Sequence, residues 1–158
     1  MISISSYVIA TPSQMIKLKA ALDLANAANS SGAFKDKVMT AKFTETTDDN
    51  ATIYANTQKD VSIQVSFYTP SCWQRIKAKI SGWSEVAAES GTGSVTFNSV
   101  IFAQNSIGAL TNTIRHEALH DPIAGGYRHD FNPTPQRPNS VNYLCGSFIQ
   151  QVVESKSY

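Results

Sequence analysis

Arg115-His116-Glu117-Ala118-Leu119-His120-Asp121 is the stretch on which the reading of this chain turns. It has the form H-E-x-x-H. The chain holds three histidines, at positions 116, 120 and 129. On a helix, His116 and His120 lie one turn apart on one face. Two imidazoles at that spacing can share a single zinc ion, and Glu117 then stands where a general base acts on metal-held water. The competing reading is a solvated helix face whose histidines do nothing.

The flanks favour the first reading. Asn105 or Ser106 can cap a helix, and Ile107, Leu110, Ile114 and Ala118 recur at three- and four-residue steps, an apolar stripe that buries one side. Gly108 costs a little helix stability there, and Pro122 ends the helix. Upstream, residues 94–103 are rich in β-branched and aromatic side chains and read as a strand. A catalytic zinc needs a third protein ligand and an open position. Downstream, Gly125-Gly126-Tyr127-Arg128-His129-Asp130 offers one: the glycines allow a sharp turn that returns His129 to the metal. Asp130 is the alternative ligand.

At these residues the chain resembles the metzincin zinc peptidases, whose pattern is H-E-x-x-H-x-x-G-x-x-H, often followed by Asp. Here His116-Glu117-x-x-His120 is followed by Gly126-x-x-His129-Asp130, with three more residues between His120 and the glycine than the family pattern has. Asn139-Ser140-Val141-Asn142-Tyr143-Leu144-Cys145-Gly146 looks like the family's Asn-x-Met turn, with Leu144, or alternatively Cys145, in the methionine's place. A last helix is expected from Ser147. Tyr143 or Tyr127 could stand in for the tyrosine that, in some relatives, helps hold the reaction's oxyanion; the plainer role for either is packing. The resemblance, which lies in the second half of the chain, implies a small zincin-like α+β fold, read here as one domain over 1–158. It implies Zn2+ on His116, His120 and His129, with Glu117 and Tyr143 as catalytic groups, and a peptide or protein substrate cut by Glu-assisted attack of water. It also implies a two-part layout in which part of 94–103, or its N-terminal approach, forms a sheet edge that binds substrate as an added strand. A closed or inert zinc module, and a zinc hydrolase acting on cell-wall peptides, are the alternatives.

Composition sets the bounds. At 158 residues with 42% apolar and 16% charged side chains, one domain with one core is the default. The net charge is +1, and without a basic run nucleic acid is not an expected partner. No stretch approaches the ~20 apolar residues of a membrane span, and a monomer is expected. Residues 1–10 lack the basic and long apolar regions of a signal peptide. A cytosolic site, export by a signal-independent route, and a leader missing from this sequence all remain open. Cys72 and Cys145 are either bridged or both free.

Along the rest of the chain, residues 2–9 read as a first strand. Thr11-Pro12-Ser13-Gln14 is a capping box with proline at the first helical position, opening a helix to about Asn29 that Ser30-Ser31-Gly32 stops. Met15, Leu18, Leu22 and Ala25 form its buried face. Residues 37–44 and 52–56 are short strand candidates around a turn at Thr47-Asp48-Asp49-Asn50, whose acidic pair is a weak calcium candidate. Residues 61–68 alternate cleanly and read as a half-buried strand. A short helix is expected over 71–80, a loop over 81–93, and an extended loop over 131–138. The sum is a mixed twisted sheet with an N-terminal helix and an active-site helix, then an irregular C-terminal part with a last helix.

Overall fold

The computed structural model describes residues 1–8, 10–71, 88–91, 94–129 and 136–158, with only the backbone of 88–91. The helix expected over 71–80, Asp130, Cys72 and most of the loop over 131–138 lie outside the described residues. The architecture is mixed α and β. Strands β1 (Ile2–Val8), β2 (Val61–Tyr68), β3 (Ala88–Gly91) and β4 (Ser94–Asn98) form one sheet in the order β1-β2-β4-β3. β1, β2 and β4 run parallel, and β3 runs antiparallel to β4. Helices α1 (Pro12–Asn29), α2 (Gly32–Thr40) and α3 (Asn50–Thr57) lie between β1 and β2 in the chain. After β4 come α4 (Ser99–Gln104), α5 (Ile107–Ala118) and α6 (Val141–Glu154), with short 3-10 turns at Pro122–Ala124 and Arg137–Asn139.

β2 buries Val61, Ile63, Val65 and Phe67 and exposes Ser62, Gln64 and Tyr68, as its alternation demands. Phe67 stacks on Phe97 at 5.7 Å, and both meet Phe102 of α4 edge-on at 4.9 and 5.4 Å. α1 begins with the expected capping box, Gln14 N donating to Thr11 Oγ1 at 3.3 Å and Thr11 N to Gln14 Oε1 at 2.8 Å.

Five sequence expectations need correction. Residues 37–44 and 52–56 are not strands: they fall largely within or beside α2 and α3. Ser31, which stops α1, also caps α2 by accepting from Phe34 N at 3.2 Å, and Phe34 and Val38 then share a buried face. Asp49 caps α3 by accepting from Thr52 N at 2.7 Å, so local cap bonds outweigh the β-branched side chains that suggested strands. The Thr52 backbone N–H and hydroxyl, with the Ala51 N–H, hold the Asp49 carboxyl below its ordinary range. Asp48 and Asp49 make separate bonds, with Tyr127 and Thr52, which gives the acidic pair a structural explanation.

The strand over 94–103 ends at Asn98, whose side chain accepts from Val100 N and Ile101 N and starts α4. The stretch read as a loop over 81–93 contains β3, which pairs along β4 and forms the outer strand of the sheet on that side, within the N-terminal approach to 94–103. Pairing to a neighbouring strand overrides the poor strand propensity of Glu89, Ser90 and Gly91. The last helix starts at Val141, six residues before the expected start, so residues 142–146 are helical rather than a turn, and Leu144 and Cys145 sit within α6.

α5 is capped by Ser106, which accepts from Ala109 N at 3.1 Å. Leu110, Ile114 and Ala118 are buried as the stripe requires, while Ile107 is 38% exposed. α5 packs chiefly on α6 and α1. Two glycines bring α5 and α6 close: a Cβ on Gly108 would stand 2.8 Å from Glu154 Oε1, and one on Gly146 would stand 2.9 Å from the Asn112 carbonyl.

Arg115 is fully buried, with Nη2 donating to the Thr57 carbonyl at 3.2 Å, where Asn29 Nδ2 also donates at 3.0 Å. The C-terminal end of α3 thus meets this guanidinium, and the negative end of its helix dipole partly offsets the charge. Burial still lowers its pKa to about 10. Cys145 is a free buried thiol, pushed up to about 12 by burial against the pull of Arg115. Among the described residues no helix is long and apolar enough to cross a membrane.

Candidate metal centre

His116 and His120 project from the last turn of α5 and its C-terminal continuation. The chain then reverses. Asp121 caps the 3-10 turn by accepting from Ile123 N at 2.8 Å, and its carbonyl accepts from Ala124 N and Gly126 N at 2.9 Å. Gly125 and Gly126 have φ of 108° and 61°, the left-handed region that glycine enters without strain. Tyr127 N then donates to the Leu119 carbonyl at 2.9 Å, closing the reversal against the end of α5. His129 is carried back to the other two histidines, as the glycine pair predicts.

The three histidines converge. One ring nitrogen from each lies within 4.8 Å of the other two, and His116 Nε2 is 3.1 Å from His129 Nε2. Two nitrogens bound to one tetrahedral zinc at ~2.0–2.1 Å are about 3.3 Å apart. The His116–His129 spacing is close to that value, and an N–H···N hydrogen bond gives a similar distance. The ring centroids are 5.0 to 5.2 Å apart in all three pairs.

Burial drives the His116 pKa down to about 3, with further lowering from His120, His129 and Arg137. Burial also lowers that of His120, partly opposed by its bond to the Tyr127 carbonyl. Both rings are therefore neutral near pH 7 and keep a lone pair for a cation. The His120 bond is short, Nδ1 lying 2.7 Å from Tyr127 O. An acceptor at that distance places the proton on Nδ1 and leaves Nε2 as the donor atom for a metal.

Of the other sequence candidates, Glu117 is buried on α5 beside His116. Tyr143, on the first turn of α6, lies edge-on to His116 at 4.6 Å and tilted against His129 at 4.9 Å. Its hydroxyl accepts from Arg137 Nε at 2.9 Å and also from Arg137 Nη2. Tyr127 acts elsewhere. Its hydroxyl donates to Asp48 Oδ2 at 2.8 Å and accepts from Asn56 Nδ2 at 2.7 Å, and burial raises its pKa. These bonds fasten the loop that carries His129 to α3 and its approach.

An open concavity of about 570 Å3, lined by residues that include Glu45, Asp48, Gly126, Tyr127 and Arg128, adjoins the loop that carries His129. Arg137, Asn142 and Asn56 were not identified from sequence as site residues, and Asp48 was singled out only as part of a weak calcium candidate. Arg137 and Asn142 sit in the stretch read as a loop and turn, and a partner 71 residues away, as Asn56 is from Tyr127, leaves no periodic signal.

Compared with known proteins, the chain matches no protein-family model, no curated protein and no solved structure.

Proposed function

We propose that the chain is a zinc-dependent peptidase of zincin-like architecture, with His116, His120 and His129 as metal ligands and Glu117 as general base. The observation that carries this reading is the convergence of three imidazoles, two of them held neutral by burial, from an H-E-x-x-H helix and the glycine turn after it. Zinc bound there would act as a Lewis acid and lower the pKa of a coordinated water to about 7. Glu117 takes the water's proton as the scissile carbonyl is attacked and returns it to the leaving amine. The Tyr143 hydroxyl, gripped by Arg137 beside two of the ligands, can donate to charge developing on the carbonyl oxygen. The metzincin relationship belongs to this proposal and rests on the quoted motif alone.

Metal analysis of the purified full chain, with mass spectrometry of a digested peptide library, tests the reading. One equivalent of zinc and discrete cleavages are expected. Glu117→Gln should keep the zinc and lose turnover, and His116→Ala or His120→Ala should lose both. Stoichiometric zinc without any cleavage would leave an inert zinc module. Cleavage of cell-wall peptides but not of the library would move the substrate class. Wild-type rates in Glu117→Gln would refute the mechanism.

A further inference from the structure

We infer that Asn142 is a positioning residue of the metal centre, holding both the His116 segment and the His120 ring in ligating geometry from the facing helix α6; this inference rests on the metal-site reading above. The side chain is fully buried. Its Nδ2 lies 3.2 Å from the His116 carbonyl, 3.4 Å from the Tyr127 carbonyl and 3.4 Å from His120 Nδ1.

The first contact completes the end of α5. The last carbonyls of a helix lack intrahelical partners. Here the amide of His120 turns to the Glu117 carbonyl at 3.1 Å, and His116 O receives a bond of 3.3 Å from Leu119 N. The Asn142 amide supplies a second donor to His116 O, and so fixes the backbone of a ligand residue.

Counting protons explains the other two contacts. A carboxamide has two N–H bonds, and two carbonyls, those of His116 and Tyr127, accept them. None is left for His120 Nδ1, which keeps its own proton and donates it to Tyr127 O at 2.7 Å. The Tyr127 carbonyl thus joins Asn142 to His120, and the arrangement presents His120 Nε2 unprotonated. Outer bonds of this kind set ring orientation and tautomer, and losing one typically costs 10–100-fold in metal affinity. The carboxamide oxygen of Asn142 has no hydrogen-bond partner among the described residues. A buried polar atom without a partner is unfavourable, so the residue is poorly explained as a stabiliser of the core alone.

The test compares the full-length wild type with Asn142→Leu, which removes the donors at similar volume, and Asn142→Asp, which replaces them with acceptors. Zinc affinity is read by chelator competition, and the melting temperature of the metal-free proteins is read separately. Both variants should bind zinc about 10–100-fold more weakly, while metal-free Asn142→Leu melts near the wild type. Affinity within twofold of the wild type in both variants overturns the inference, as does weakening no greater than the loss of folded protein explains.

Long-range 1H–15N correlation of the metal-free protein supplies a readout that does not require zinc. Wild-type His120 should show a single Nδ1–H tautomer, and Asn142→Asp should shift its ring-nitrogen signals as the carboxylate competes for that proton. An Nε2–H tautomer in the wild type, or ring signals identical in Asn142→Asp, overturns the inference. A wild type that binds no zinc yet passes the tautomer test sinks the peptidase reading and leaves the role of Asn142 in orienting the ring standing.

Discussion

Acid should destabilise the metal-free protein through His116, and the size of the effect follows from its environment. Its pKa falls from 6.5 in the open chain to about 3 in the folded state, chiefly because burial disfavours the charged ring. The unfolded chain therefore binds the extra proton first as pH falls. The stabilising contribution is complete above 6.5 and drains away toward 3, at about 1.4 kcal/mol per pH unit within that window. From about pH 7.5 to about pH 5 the integrated loss from this one ring is about 2 kcal/mol. For a chain of this size that corresponds to a fall of about 4–8 °C in melting temperature. The assay is urea unfolding at the two pH values with a chelator present, for the wild type and for His116→Leu. The wild type should lose about 2 kcal/mol more than the variant between them. Equal losses in the two proteins would show that His116 titrates normally in the fold, and the argument that it is held neutral for a metal would fail.

Other perturbations probe the scaffold. Gly146→Ala places a methyl group 2.9 Å from the Asn112 carbonyl, and overpacking of that kind should destabilise by about 1–3 kcal/mol in denaturant titrations. Arg115→Met should leave stability unchanged or raise it by up to about 4 kcal/mol, because two of the buried guanidinium nitrogens have no hydrogen-bond partner among the described residues; a loss above about 3 kcal/mol would mean that the bond to Thr57 O outweighs the cost of burying the charge. Tyr127→Phe removes the bonds to Asp48 and Asn56. It should destabilise by about 1–3 kcal/mol and, on the zinc reading, weaken metal binding through His129, both readable by calorimetry with and without zinc.

What the sequence made legible was local. The four-residue spacing of His116 and His120, the stripe of Leu110, Ile114 and Ala118, the alternation over 61–68 and the capping box at Thr11 each depend on one element's own periodicity. Gly125 and Gly126 announced the reversal that returns His129. Misreadings arose where a cap or a distant neighbour decided. Ser31, Asp49 and Asn98 each start a helix through a bond a few residues ahead, and those caps turned two apparent strands into helices and shortened a third. β3 exists because β4 offers it an edge. Asn142 serves the histidines only because α6 packs against α5, and nothing in the order of residues 139–146 declares that approach.

Tyr127 ties the reversal bearing His129 to Asp48 and Asn56, far earlier in the chain. The histidine helix and its loop are consequently not a portable cassette. Grafted onto a foreign scaffold, residues 106–129 would bring two of the histidines in register and leave the third without its moorings. On the zinc reading, mutational damage in the N-terminal half should surface as failing metal retention in a protein whose motif is untouched.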